Sequence, residues 1–364
     1  MGNISNILLR RFIKSNRLFY KLIPIRTLWK PRGFAVAITT RCNLRCKMCA
    51  RTINNIKGDD MKFEVFEKIS ESFKEGMEVN FCGLGETLLH PDFFKMLDIC
   101  KKKKVKFGFT TNGTLLTEDV CRRLFEYVQF NSVVISVDGV EKYWDVRKGD
   151  VNVVLRNIKG FSRMGKSFGR KVPIYINFMG LCSNITDLPI LIDELKDDID
   201  VIGILHPIIY SQDMVGEHLN NCQEKSSAIF VVAKNMCEKY GIDFLDRKFG
   251  VRKGRGCLTP FFKPYINIKG DVYPCTIIGC ESDYTEIVNV FIDGKKIELI
   301  PKYYNFGNIM QDDFYDIWNN EKFMNFRKML LKAIQSNEGY VQVLDTYNRG
   351  DYCRVCPYRW DCAC

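Results

Sequence analysis

Three thiols stand within eight residues of one another, Cys42, Cys46 and Cys49, in the run Thr40-Arg41-Cys42-Asn43-Leu44-Arg45-Cys46-Lys47-Met48-Cys49. Thiolates at the spacing C-x3-C-x2-C can converge on one metal site from a single loop. A structural zinc site closes on four protein ligands, so three leave a position open. A 4Fe–4S cluster held by three Cys likewise leaves one iron free for an exchangeable ligand. On the residues alone, zinc or a fourth ligand from a distant part of the chain stays open as well. Two further groups follow, Cys257, Cys275 and Cys280, then Cys353, Cys356, Cys362 and Cys364. The other six of the sixteen Cys (82, 100, 121, 182, 222 and 237) stand singly among apolar neighbours and read as small buried hydrophobes.

What must position the first group is an alternation of short apolar runs with amphipathic stretches. Strands are expected at Phe34–Thr39, Glu78–Cys82, Val105–Thr110, Ser132–Val137, Val172–Phe178 and Val201–His206. Helices are expected at Lys62–Lys74, Pro91–Lys103, Thr117–Phe125, Val151–Met164, Asp187–Leu195 and near Glu224–Tyr240. Alternation at this spacing means right-handed βαβ units and a parallel sheet, either a partial barrel or a doubly wound sheet. After about Gly250, glycine, proline and Cys become frequent and periodicity fades except near Phe314–Leu331. A segment so poor in regular elements needs metal or cluster staples.

Composition and charge narrow the class. The chain has 364 residues, 46% hydrophobic and 27% charged, which is ordinary for a globular protein. No run approaches the ~18 apolar residues of a membrane-spanning helix. Arg10, Arg11, Lys14 and Arg17 interrupt the only stretch that could serve as a secretory signal. A cytoplasmic protein is expected, and so many Cys without a signal read as metal ligands rather than disulfides. The net charge of +11 is lopsided, because residues 1–58 hold 13 Lys or Arg and no acid precedes Asp59. Ile4, Leu8, Leu9, Phe12 and Phe19 interleave with these cations. The arm reads as an amphipathic helix suited to peripheral contact with an anionic membrane, or as a helix packed on its own domain. Nucleic-acid binding is the less favoured use of such an arm.

The first Cys run resembles the signature of the radical S-adenosylmethionine (radical SAM) superfamily, whose three-Cys loop follows the first strand of a partial (β/α)6 barrel. The bulky residue before the last Cys is Met48. Other segments match in order: Gly83-Leu84-Gly85-Glu86 after the second strand, Thr111-Asn112-Gly113-Thr114 after the third, and Ser136-Val137-Asp138-Gly139 ending the fourth, with Arg147 shortly after. The resemblance implies that Met48, Gly83, Gly85, Glu86, Asn112, Ser136, Asp138 and Arg147 bind SAM, and that Cys42, Cys46 and Cys49 hold the SAM-binding 4Fe–4S cluster. In parallel βα folds active sites collect at the carboxyl ends of strands, and Cys42, Glu86, Asn112, Ser136 and His206 all fall at or just beyond the ends of their expected strands, on that one rim. Reductive cleavage of SAM to a 5′-deoxyadenosyl radical, which abstracts hydrogen from substrate, is the implied chemistry, with a flavodoxin or ferredoxin as reductant.

The stretch from Cys257 to Cys275 resembles the opening of the SPASM/twitch extension of many radical SAM enzymes, and residues 306–327 resemble its linking helix. Cys353, Cys356 and Cys362 keep the first spacings of the later pattern, and the next gap departs from it. One auxiliary 4Fe–4S cluster on Cys257, Cys275, Cys353 and Cys356 is expected. The rivals are a truncated SPASM using Cys353, Cys356 and Cys362 with Cys275 or Cys280 as partner, a second auxiliary cluster, and a zinc on the last four Cys. The division expected is a basic arm at 1–33, the barrel at 34–249 and a loop-rich, cluster-stapled domain at 250–364. An auxiliary cluster favours oxidation, so the function expected is dehydrogenation of a small sugar-like metabolite or modification of a peptide. Only 33 residues precede the first strand, which reads against a leader-binding domain ahead of the barrel. A non-catalytic iron–sulfur electron carrier or redox sensor is the alternative. Beyond the sixth strand, His206, Tyr210 and Asp213 are the candidates to act on substrate, and His90 reads as a loop-ordering residue.

Overall fold

Seven of the strands run parallel and in simple sequence order. The computed structural model describes residues 30–245, 257–282, 286–292 and 294–335. They are β1 (Gly33–Val36), β2 (Glu78–Phe81), β3 (Lys106–Thr111), β4 (Phe130–Ser136), β5 (Ile174–Met179), β6 (Val201–Leu205) and β7 (Asp243–Leu245). Each pairs in parallel with the next. A doubly wound sheet reverses its strand order at a switch point. This one never does, so the winding is that of a barrel. The arc is open, because in its nine-strand order β7 and the far strand are not neighbours.

The helices between the strands are α1 (Ala50–Ile53), α2 (Phe63–Glu71), α3 (Phe93–Lys102), α4 (Glu118–Phe125), α5 (Tyr143–Arg147), α6 (Val151–Ser167), α7 (Asp187–Leu195) and α8 (Gln223–Tyr240). Local signals set their ends. Thr117 accepts the Val120 amide at the start of α4, Asp150 accepts the Asn152 amide at the start of α6, and Gly241 closes α8 at φ 72°. β1 and β6 are buried at every residue, as strands of a parallel sheet covered on both faces must be. The core between sheet and helices is rich in rings. Phe107 and Phe130 stack at 5.4 Å, and Phe130 meets Phe161 edge-on.

The carboxy-terminal segment extends the same sheet. After α9 (Thr259–Phe262), β8 (Tyr265–Ile266) pairs in parallel with β1, and β9 (Val272–Tyr273) returns antiparallel. A hairpin of β10 (Val288–Ile292) and β11 (Lys295–Leu299) follows α10 (Thr276–Ser282), and α11 (Phe314–Trp318) and α12 (Glu321–Gln335) close the described part. Arg327 is the buried hub of α12. It lies over the Trp318 ring at 4.0 Å and donates to the Pro260 and Trp318 carbonyls. Five strands beyond the six expected are thus present among the described residues. β7, β8 and β9 have only two or three residues each, too short to leave a period in the sequence, and β10 and β11 form a separate hairpin in the stretch read as loop-rich.

The arm at 1–29 and Cys353, Cys356, Cys362 and Cys364 lie outside the described residues. No described helix is long and apolar enough to cross a membrane.

Candidate active site at the carboxyl rim of the barrel

Cys42, Cys46 and Cys49 lie in the loop between β1 and α1. They share one apolar cluster with Leu44, Met48, Val146, Leu181, Ile209 and Met214. Burial pushes the Cys46 thiol up to about 11, against the pull of the Arg147 cation, and burial likewise raises Cys42. Buried thiols of this kind stay protonated on their own and release their protons when a metal takes the sulfur. Three donors face the sulfurs, the Asn112 side-chain amide among them. The Leu44 amide reaches Cys42 Sγ at 3.4 Å, and Arg147 Nη1 reaches Cys46 Sγ at 3.7 Å. Tyr143 is fully buried beside Arg147, and its hydroxyl has no hydrogen-bond partner among the described residues. Thiols held as neighbours, sulfur-directed donors and a waiting hydroxyl fit an anionic iron–sulfur group. No three His, Cys, Asp or Glu side chains among the described residues already stand at metal-gripping distance, so the thiols are gathered rather than closed.

The turn after β2 is pressed against this loop. A Cβ at Gly85 would lie 2.3 Å from the Thr39 carbonyl oxygen and 2.7 Å from that of Arg41, so only glycine fits. The next residue, Glu86, donates its amide to the Arg41 carbonyl at 2.7 Å. Its carboxylate turns inward. It accepts the Thr111 hydroxyl at 2.6 Å, the Asn112 amide at 2.6 Å and the Leu88 amide at 3.2 Å. Burial pushes this carboxyl upward and the Asn112 and Thr111 hydrogen bonds oppose it. The Glu86 side chain is therefore a buttress between the ends of β2 and β3, and it leaves the backbone of the turn to face the rim. Gly83 needs no such intimacy, since the first atom its Cβ would meet is the Ala37 methyl at 3.0 Å.

Asn112 passes the buttress on to the Cys loop. Its side-chain amide donates to Asn43 Oδ1 at 2.8 Å and points at Cys42 Sγ at 3.9 Å. Asn43 in turn donates to Thr114 Oγ1 at 2.8 Å. Gly113 makes the turn at φ +79°, a conformation that favours glycine.

Ser136 closes β4 beside Asn177. Asp138 is fully buried, pairs with Arg147 and accepts the Met179 amide at 2.7 Å. This ion pair joins the ends of β4 and β5 to α5 and carries the guanidinium to Cys46. Desolvation of Arg147 is outweighed by Asp138 and Cys46, which keep it charged.

Of the substrate candidates, His206 stands just past β6 with its ring 6.0 Å from that of His218. Tyr210 donates to Glu281 of α10 at 2.6 Å, tying the barrel rim to the carboxy-terminal segment. Glu281, buried and adjacent to Cys280, carried no sequence signal that marked it. Asp213 is exposed on a 3-10 turn over residues 212–217. His90 orders its loop, as expected. Its Nδ1 accepts the Asp92 amide, which leaves Nε2 to donate to the Met61 carbonyl at 3.0 Å. Cys257, Cys275 and Cys280 are all half-buried, with Cys275 just before α10 and Cys280 within it.

The single Cys need correction in part. Cys100, Cys121 and Cys237 are buried hydrophobes, and burial pushes Cys121 and Cys237 up to about 12. Cys182 and Cys222, forty residues apart, are instead joined in a disulfide at a Cα–Cα distance of 5.9 Å. Pairing across that separation leaves no local trace in the sequence.

Comparison with known proteins agrees with this geometry. The radical SAM superfamily profile matches residues 36–195, and the profile of an iron–sulfur cluster-binding domain, SPASM, matches residues 257–357. Together they span well over half of the chain. The chain is 28% identical over 304 residues to the tungsten-containing aldehyde ferredoxin oxidoreductase cofactor-modifying protein of Pyrococcus furiosus, across 80% of this chain and 81% of the relative. It is 28% identical over 233 residues to a protein named "Probable GTP 3′,8-cyclase" from Methanocaldococcus jannaschii, across 60% of this chain and 75% of that one. Among solved structures, SuiB of Streptococcus suis aligns with a TM-score of 0.61 at 15% identity, over 97% of this chain and 82% of its own. SuiB is also solved bound to S-adenosylmethionine and to its precursor peptide SuiA. At that identity the likeness is one of fold. The chain belongs to the radical SAM superfamily and carries a SPASM iron–sulfur domain behind its barrel, with SAM and iron–sulfur clusters as the cofactors these domains bring.

Proposed function

We propose that the chain is a radical SAM oxidoreductase that modifies a peptide substrate, with its SAM-binding 4Fe–4S cluster on Cys42, Cys46 and Cys49. The observation that carries the reading is the hydrogen-bonded rim that runs from Glu86 through Asn112 to Asn43 and Cys42, and from Asp138 through Arg147 to Cys46. Consecutive strand ends are thereby locked around one three-thiol loop. Bound there, the reduced cluster with SAM supplies a 5′-deoxyadenosyl radical, and an auxiliary cluster in the SPASM domain supplies a sink for the substrate's second electron.

The protein's own part is placement. Met48, buried next to Cys46, offers an apolar surface for the adenine. The backbone of the Gly83–Glu86 turn meets the amino group of the methionyl moiety. Arg147, held charged by Asp138, and the Tyr143 hydroxyl supply donors for anionic sulfur or the SAM carboxylate. Ser136 faces the ribose. His206, Tyr210 and Asp213 border the substrate, where Tyr210 holds its proton toward Glu281. Cys257 and Cys275, with Cys353 and Cys356, hold the auxiliary cluster. The likeness in fold to SuiB, which is also solved bound to a precursor peptide, supports the substrate class.

The test is a substrate screen with the reconstituted enzyme. Peptides deuterated at side-chain carbons and deuterated aminosugars are offered with SAM and dithionite. Deuterium in 5′-deoxyadenosine, with loss of two hydrogens from a peptide, is expected. Transfer from aminosugars alone would overturn the peptide assignment.

A further inference from the structure

The loop between β6 and α8, residues 206–222, contains only short 3-10 turns, yet it covers the Cys loop. Met214 and Ile209 are buried against Leu44, Cys46 and Met48. The Ile209 carbonyl also accepts the Phe291 amide of the β10–β11 hairpin at 2.8 Å. A polar link joins this cover to the Cys loop itself. Lys47, which lies between Cys46 and Cys49, places Nζ 2.7 Å from Glu217 Oε1 and 3.1 Å from Ser183 Oγ. Glu217 is fixed from the other side, because Oε2 accepts the Ser183 amide at 3.0 Å and its carbonyl accepts the Cys182 amide at 2.9 Å.

A single, partly exposed ion pair contributes too little to hold so long a loop against its conformational entropy. The fastening that can do so is covalent. Cys182, just after β5, is bonded to Cys222, the residue immediately before α8. The disulfide therefore closes the loop at its base, one residue from Ser183 and five from Glu217. We propose that Cys182–Cys222 is a reducible clamp that positions the Cys42–Cys49 loop through Glu217 and Lys47, and that dithiols open it.

Both sulfurs belong to half-buried residues, and their neighbours Ser183, Asn221 and Gln223 are exposed, so a dithiol can reach them. Opening is thiol–disulfide exchange. A thiolate of the dithiol attacks Cys182 Sγ and expels Cys222 as the leaving thiolate. Cys222 sits at the amino end of an 18-residue helix, where a thiolate is stabilised. The second thiol of the dithiol then displaces Cys182 and becomes part of a new disulfide. Two electrons and two protons pass to the pair, and the dithiol is oxidised by the same amount. Closing requires a disulfide-donating oxidant and runs the same steps backwards.

The inference rests on the Cys loop being the SAM-cluster loop, so its test keeps the two ideas apart. Reconstituted full-length protein is prepared anaerobically without thiols and alkylated before digestion. A linked peptide containing Cys182 and Cys222 is expected, and dithiothreitol should replace it with two alkylated thiols. Amide exchange is then followed at 42–50 and 206–222. Reduction, and the Cys182→Ser/Cys222→Ser variant, should accelerate both segments and weaken SAM binding about tenfold. Glu217→Gln keeps the disulfide and should accelerate 42–50 alone, while Glu217→Asp restores protection. Absence of the linked peptide, or exchange that ignores reduction, would overturn the clamp. Coupled exchange in a protein that binds no SAM would support the clamp and sink the SAM reading instead.

Discussion

Replacing Glu86 tests whether the buttress sets the rim. Its carboxylate accepts two backbone amides, Asn112 at 2.6 Å and Leu88 at 3.2 Å, and the Thr111 hydroxyl at 2.6 Å. Glu86→Ala strands both amides in a site with 1% exposure. Each orphaned donor costs about 1–3 kcal/mol, so the loss is roughly 2–6 kcal/mol. The hydroxyl can rotate and adds little. Glu86→Gln is milder. Its oxygen can keep the Asn112 amide, its nitrogen can donate to Thr111, and only the long Leu88 contact is lost, about 1 kcal/mol. Burial already pushes the carboxyl toward its neutral form, which agrees with a neutral isostere being tolerated. At about 2–4 °C per kcal/mol for a chain of this order, thermal melts should fall roughly 4–24 °C for Ala and a few degrees for Gln. Iron retained per chain should fall in the same order, because Asn112 hands the displacement to Asn43 and Cys42. Equal losses for the two variants, or an Ala variant that melts with wild type, would refute the reasoning.

Gly85→Ala should lower stability by about 1–3 kcal/mol and impair cluster loading, because its Cβ meets two backbone carbonyls, whereas Gly160→Ala on α6, with open space around it, should stabilise by about 0.5–1 kcal/mol; parallel denaturant titrations compare them. Breaking the buried pair by Asp138→Asn should cost about 3–5 kcal/mol, and the double variant with Arg147→Met should cost less than the sum, measured as a double-mutant cycle. Tyr143→Phe should leave the melting temperature of the cluster-free protein unchanged or higher and weaken SAM binding to the reconstituted one, read by calorimetry. Burial raises the Asp60 carboxyl, but hydrogen bonds from Arg41 and Thr39 outweigh it and hold the group below its ordinary value. Its stabilisation is therefore present above about pH 3.9 and lost as pH falls through the depressed folded value, so melts of wild type and Asp60→Asn should differ at pH 7 and converge in stronger acid.

How much was legible follows from what each feature leaves in a sequence. β1 to β6 and the longer helices between them were readable, since buried parallel strands are continuous apolar runs and such helices keep a 3.6-residue period, whereas the four- and five-residue helices α1 and α5 were not. β7, β8 and β9 were not, because two or three residues carry no period and their pairing, to β6, β1 and β8 in turn, is decided by packing across the sheet. The rim residues were legible as types and spacings. Their division of labour was not. Glu86 reaches inward to Asn112, and Asp138 spends its charge on Arg147, which only the folded backbone reveals. The bond between Cys182 and Cys222 and the link from Tyr210 to Glu281 join points 40 and 71 residues apart, beyond any local signal.

The most direct measurement is the reductive cleavage of SAM. Wild type and a Cys42/Cys46/Cys49→Ala variant are reconstituted anaerobically with iron and sulfide, and 5′-deoxyadenosine is quantified by mass spectrometry after SAM and dithionite are added. Product from wild type and none from the variant is predicted. Equal product from both, or none from a wild type shown to be fully loaded with iron, would contradict the assignment of the rim as a radical SAM centre.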